Sequence, residues 1–206
     1  GTPVQGAFTW DIALNLAKNE NEVVSLVGDA KELLGDVPRT QTVRVKHIVG
    51  YPYNMLTGLR QKRDPNGNLV FDGTSGAPIQ STTFEILGNA IPDLTGGLNN
   101  TFTYKNFNLS ALIDFKFGGD IYAGTEVRMT QAGFHKQTIA GREGQEPITV
   151  TGVKEVTPGA FEPFTMTLTP QQANNYWNQL GNRAQEHFIY DASFAKLRQI
   201  TFGYTF

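Results

Sequence analysis

Between positions 8 and 16 every second residue is large and apolar: Phe8, Trp10, Ile12, Leu14 and Leu16 alternate with Thr9, Asp11, Ala13 and Asn15. A helix with 3.6 residues per turn scatters such a set around its circumference. A strand gathers it on one face, because successive side chains point to opposite sides. The stretch 7–17 is therefore expected to be a strand with one bulky apolar face and one small or polar face. The same period returns at Phe102 and Tyr104, at Leu109, Ala111, Ile113, Phe115 and Phe117, and at Ile200, Phe202, Tyr204 and Phe206. It predicts strands near 7–17, 22–27, 98–105, 107–117 and 194–206. Asn-containing turns at Lys18-Asn19-Glu20-Asn21 and Lys105-Asn106 would close two hairpins.

Between these strands lie two long stretches, 28–97 and 118–192, rich in Gly, Pro, Asn and Thr. Connections of that length are abnormal inside a compact domain. Short strands are expected at 42–49 and 148–156, together with one helix over 170–180. Thr169 would cap that helix, Pro170 would open it, and Gly181 would follow its end.

Strand length and connectivity bear on the fold class. Segments of roughly 9 to 11 residues, with short turns at one end and very long loops at the other, are what a membrane-spanning β-barrel needs. Hydrocarbon offers no hydrogen bonds to a backbone, so such strands pair with one another and turn apolar side chains outward to lipid. The aromatics Trp10, Tyr104, Phe107, Phe117, Tyr122 and Tyr204 are expected in the interfacial girdles. If the first strand runs down, away from the long loops, both short turns fall on one side and both long loops on the other. A soluble all-β carbohydrate-binding module, with the same aromatics turned inward, is the alternative.

Composition removes other classes. Charged residues make up only 17% of the chain, the formal net charge is -2, and no dense Lys/Arg run exists, so nucleic acid is not an expected partner. The absence of Cys excludes disulfides and thiolate metal sites. No apolar run reaches the ~20 residues of a spanning helix.

Three blocks, in order along the chain, carry a family likeness. They are Leu14-Asn15-Leu16-Ala17-Lys18-Asn19-Glu20-Asn21-Glu22-Val23; Leu87-Gly88-Asn89-Ala90-Ile91-Pro92-Asp93-Leu94-Thr95-Gly96-Gly97-Leu98-Asn99-Asn100 with Tyr104-Lys105-Asn106-Phe107-Asn108-Leu109-Ser110 and Gly118-Gly119-Asp120-Ile121-Tyr122; and Asp191-Ala192-Ser193-Phe194-Ala195-Lys196-Leu197-Arg198-Gln199-Ile200-Thr201-Phe202-Gly203-Tyr204. Together they resemble the SusC/RagA family of TonB-dependent outer-membrane transporters. The resemblance implies an all-β fold: an antiparallel transmembrane segment, part of a 22-stranded barrel, with long extracellular loops and one short loop helix. It implies a multi-pass protein of the bacterial outer membrane that takes up glycans or peptides. The implied partners are the remainder of the barrel and its plug, a SusD-like surface lipoprotein over the mouth, TonB acting through an N-terminal region, and outer-membrane lipid. Positions 1–206 would then be a partial barrel that transports nothing alone, with several hundred residues upstream.

No catalytic constellation is visible, and neither enzyme activity nor a cofactor is expected. Asp64, Asn66, Asn68 and Asp72 imitate the spacing of an EF-hand loop, but Leu69 replaces its glycine and Ser75 its bidentate glutamate, so a Pro-Asn-Gly turn is expected. His47, His135 and His187 lack companions at metal-binding spacing. Carboxylate pairs for glycoside hydrolysis could be drawn from Asp114, Asp120, Glu126, Glu143 or Glu146, as from any acidic loop. Tyr51, Tyr53, Tyr176 and Trp177 are loop aromatics suited to ligand or lid contact.

Overall fold

The computed structural model describes residues 7–36 and 42–206. Gly1-Thr2-Pro3 and five residues of the 28–97 stretch lie outside them. In chain order the strands are β1 (Phe8–Lys18), β2 (Glu32–Asp36), β3 (Val43–Ile48), β4 (Met55–Gly58), β5 (Glu85–Asn89), β6 (Leu94–Tyr104), β7 (Phe107–Phe117), β8 (Asp120–Tyr122), β9 (Thr149–Thr157), β10 (Ala160–Thr167), β11 (Ile189–Asp191) and β12 (Phe194–Tyr204). Helix α1 (Gly124–Gln131) follows β8, and α2 (Pro170–Arg183) follows β10.

The wall is one antiparallel sheet of four 11-residue strands, ordered β1-β6-β7-β12. Its register sorts most side chains by polarity. On one face Trp10 lies opposite Phe102 and Phe102 opposite Leu109, which faces Phe202; two rows along, Leu14, Leu98, Ile113 and Leu197 form another row, and in the row between, Asn100 accepts from the Trp10 indole N–H. On the opposite face Thr9, Asp11 and Asn15 lie beside Thr103, Thr101 and Gly97, which in turn meet Asn108, Ser110 and Asp114. No residue of these four strands is buried, and Phe202 and Ile200 are 67% and 62% exposed. An apolar surface continuous over four strands far exceeds what a water-soluble surface carries. The aromatics are thus not gathered into the core that a soluble sandwich would need.

The first hairpin of the sequence reading does not form. Residues 22–27 are not a strand; Val23 exchanges backbone bonds with Tyr51 and Gly50, the Val27 carbonyl accepts from the Ala30 amide in a short turn, and Val24 and Val27 are 79% and 94% exposed. At the end of β1 the Asn19 amide donates to the Asp93 carbonyl, so the chain there extends the pairing with β6 instead of turning back on itself. β1 therefore runs toward the end that carries the long connections, opposite to the direction expected. Both long connections still leave from one end of the sheet. The other end is closed by the Lys105-Asn106 turn, with Lys105 at φ 52.

β6 begins at Leu94, ahead of the expected 98, and so contains Gly96-Gly97. Glycine weakens a strand by propensity, but here absence of a side chain is required. A Cβ on Gly96 would stand 2.5 Å from the Phe115 ring and 2.6 Å from the Asn15 carbonyl oxygen. Tyr122, expected in a girdle, lies in β8 instead, its hydroxyl 2.6 Å from Thr42 Oγ1. Phe8, Tyr104, Phe107 and Tyr204 form the aromatic row at the turn end, with the Phe107 and Tyr204 rings 4.8 Å apart.

The two long stretches expected as loops build a folded outer body. It contains a four-stranded sheet β2-β3-β4-β5, a β9-β10 hairpin and a short β8-β11 pair. Phe71, Val150, Leu168 and Ala173 form its core cluster, with Phe164, Met166 and Tyr176 packed around it. Phe188, 1% exposed, is among the most deeply buried side chains. Thr169 caps α2 in a reciprocal box with Gln172, as its sequence position suggests. The helix continues past Gly181, however, because that glycine serves packing against α1: a Cβ there would meet Gln131 Cγ at 2.6 Å and the Val127 carbonyl at 3.2 Å.

Candidate functional site

On the polar face of the wall, near the end with the long connections, two rows of residues stand side by side. Ala17, Thr95, Lys116 and Phe194 form one; Asn15, Gly97, Asp114 and Lys196 form the next. The small residues at the β1 and β6 ends leave an open concavity of about 680 Å³, lined also by Leu112, Asp114 and Arg198. Arg198 is the extra residue of a β-bulge, since pairing with β7 shifts between Leu197 and Gln199. A bulge bends the strand and re-aims a side chain, and here the guanidinium reaches Asp114 Oδ2 through Nε and Nη2, both at 2.7 Å. Phe194 is a large aromatic on a face that is otherwise small or polar apart from Leu112. The Lys196 ammonium sits 4.5 Å from its ring centroid and the Arg198 guanidinium 5.8 Å, both within cation–π range.

The loop aromatics fall into two separate settings. Tyr51 and Tyr53 occupy the connection between β3 and β4 and are half-exposed. Tyr53 stacks on His47 with ring centroids 4.1 Å apart, and its amide donates to Asn21 Oδ1. Tyr176 and Trp177 lie on α2 in edge-to-face contact at 5.0 Å. Tyr176 packs on the core cluster, and that burial pushes its phenol pKa up. The Trp177 indole N–H donates to the Ala140 carbonyl while its ring lines a cavity of about 420 Å³, together with Phe134, Arg142 and Asn174.

The acidic turns have settled roles. Asp64 accepts from the amides of Asn66 and Asn68 and from the Asn68 side chain. Chiefly because of that Asn68 side-chain bond, its carboxyl pKa is held below the usual value. A carboxylate so occupied is the Asx-type turn expected in place of a calcium loop. Asp72 is likewise lowered, first by the Ser75 hydroxyl. Among the described residues no group of three His, Asp or Glu side chains is placed to hold a metal. Of the carboxylates considered for hydrolysis, Asp114 is paired with Arg198, Asp120 accepts from the Asn89 amide, and Glu126 accepts from the Tyr190 hydroxyl.

No family model matches the sequence. Among characterised proteins, the chain is 26% identical over 217 residues to TonB-dependent receptor P3 of Formosa agariphila, a match covering 96% of this chain and 20% of that protein. It is 25% identical over 212 residues to TonB-dependent receptor SusC of Bacteroides thetaiotaomicron, covering 97% of this chain and 19% of SusC. Among solved structures, that of the RagAB peptide transporter superposes with a TM-score of 0.55 at 16% identity, covering 99% of this chain and 22% of that one. The chain resembles the barrel of SusC/RagA-type TonB-dependent receptors. It spans about a fifth of the length of the curated relatives it matches. The antiparallel wall with few helices is the RagAB barrel fold.

Within that fold, the structure brings Tyr176 and Trp177 together and sets Tyr51 and Tyr53 on a different connection. Sequence reading passed over the Phe194, Lys196, Arg198 and Lys116 group. Period two runs against it: Phe194 and Lys196 share even parity with Ile200 and Phe202 of the apolar face, and only the extra residue Arg198 turns them to the polar face beside Lys116.

Proposed function

We propose that residues 1–206 form part of the barrel wall and the extracellular loops of a TonB-dependent importer in the bacterial outer membrane. One observation carries this reading: four 11-residue strands turn a continuous apolar face one way and a polar face the other, while the buried core lies wholly in the connections at one end. Lipid is the solvent that suits the first face and a wet lumen suits the second. The free edges of β1 and β12 would pair with further strands of the same barrel, since unpaired edges are not tolerated in hydrocarbon. The cargo class is a glycan or a peptide, the latter being what the RagAB structure is named for. The partners are a plug, TonB and a SusD-like surface lipoprotein.

Tyr51 and Tyr53, the more exposed pair, would touch cargo or lid. Tyr176 is committed to the body's core, leaving the Trp177 ring as the contact surface on α2. The test uses the full-length protein. It should fractionate with the outer membrane, show heat-modifiable gel mobility, and support growth on its cargo only when TonB is intact. Recovery in the soluble fraction as a monodisperse monomer would end this reading.

A further inference from the structure

The geometry points to a binding site for the carboxylate or sulfate group of a passing solute on the inner wall, formed by Lys116, Lys196 and Arg198 around Phe194. This deepens the importer reading and rests on it.

Three cations and one anion meet on two adjacent rows of the sheet, since Lys116 lies directly opposite Phe194 and Asp114 directly opposite Lys196. Asp114 is taken by Arg198. Among the described residues neither Lys116 nor Lys196 has a carboxylate within ion-pair distance. The cluster therefore keeps an excess of positive charge. The neighbouring concavity is kept open by Ala17, Thr95 and Gly97, whose side chains are too small to fill it.

The aromatic ring adds direction. Phe194 holds the Lys196 ammonium over its face, orienting the cation along the wall. The bulge places Arg198 on the same side, where Asp114 fixes its planar fork. An acidic group arriving at the concavity would meet the outer edge of the fixed guanidinium on its lining, with the two ammonium groups beside it on the neighbouring rows. Neutral cargo of equal size would find Leu112 and small or polar side chains there. The chemistry recognised is an anionic oxygen group, borne by an acidic peptide or by an acidic glycan.

The experiment measures equilibrium binding to the purified full-length protein in detergent. The probes are an Asp-containing octapeptide with its Asn counterpart, and an oligogalacturonate with its methyl ester. The wild type is expected to bind the acidic member of one pair about 5-fold more tightly than the neutral one, with the preference shrinking at high salt. The paired substitutions Lys116→Gln and Lys196→Gln should bring the ratio close to one, and Lys116→Arg with Lys196→Arg should restore it. The pair showing the preference identifies the carrier of the charge. An unchanged ratio in the glutamine variant overturns the assignment. So does an equal loss for both members, which would mean the lysines hold another part of the protein. TonB-dependent uptake of the same probes tests the importer reading separately: failed uptake with the binding preference intact would remove transport and leave the site.

Discussion

The wall and the outer body answer to opposite solvents although one chain threads both. In the wall, four strands of equal length alternate bulky and small residues and bury nothing; Ile200 and Phe202 look outward. In the body, strands of three to nine residues and two helices enclose Phe71, Val150, Leu168 and Phe188. In the proposed importer the wall would take its stability from backbone pairing and from lipid over its apolar face, the body from a water-driven core. A long connection in a barrel is thus not synonymous with a disordered loop, because the two connections together build one interior, Phe71 of the first packing with Val150, Leu168 and Ala173 of the second.

This contrast predicts unequal responses to mutation. The largest effect belongs to the body: Phe71→Ala should cost about 3–5 kcal/mol, the range for removing a buried aromatic. In intact cells, surface protease should cleave the variant within 28–97 or 118–192 while heat-modifiable mobility of the barrel persists. Loss of both signals together would mean that the two regions fold as one unit. Next comes the wall, where Ile200→Arg, further from the aromatic row, places a charge on the apolar face at a cost of about 2–4 kcal/mol near the bilayer midplane. Barrel mobility should fall in this variant. The conservative change Ile200→Leu should be nearly silent.

The junction separates the two more finely. Gly119 has φ 79, and a Cβ there would lie 3.2 Å from the Pro92 nitrogen and 3.3 Å from the Ile91 carbonyl carbon. Gly119→Ala carries the left-handed backbone penalty of about 1–2 kcal/mol, with crowding added. The Ala192 amide donates to the Gly119 carbonyl, and the neighbouring Gly118 amide donates to Ser193 Oγ. The substitution should therefore loosen β8-β11 first, seen as faster amide exchange at Ile121 and Tyr190 ahead of any change in β7 or β12.

What was legible in the sequence follows the same division. Period-two alternation revealed β1, β7 and the part of β12 beyond its bulge, where one solvent acts on each face. It missed the start of β6, where Gly96 and Gly97 carry no side chain to alternate, and it placed a strand at 22–27 from β-branched residues of which only Val23 pairs with a neighbouring segment. In the body, the Thr169–Gln172 cap and Pro170 marked the start of α2, since capping is local chemistry. Its end was misjudged because Gly181 answers to α1, a neighbour distant in sequence. The cation group around Phe194 was hidden for a related reason: register and a bulge assemble it, and both are set by pairing.

The smallest expected effect is a pH dependence confined to the body. The carboxyl groups of Asp64 and Asp72 lie below their ordinary 3.8, through the Asn68 and Ser75 side-chain bonds respectively, and Glu155 lies below 4.5, chiefly through the Gly159 amide and Lys62. A depressed folded-state pKa means that the unfolded chain binds protons more readily. The resulting stability is fully present above the unfolded values and is lost as pH falls through the folded ones. Protease resistance of the outer body should accordingly be flat from neutral pH down to about 5 and weaken progressively below about 4. Asp64→Asn should flatten part of that acid limb, since it removes a titrating group whose ionised form the Asn66 and Asn68 amides stabilise. Barrel mobility over the same range should not follow, and a parallel decline in both would tie acid sensitivity to the wall instead of to the turns of the body.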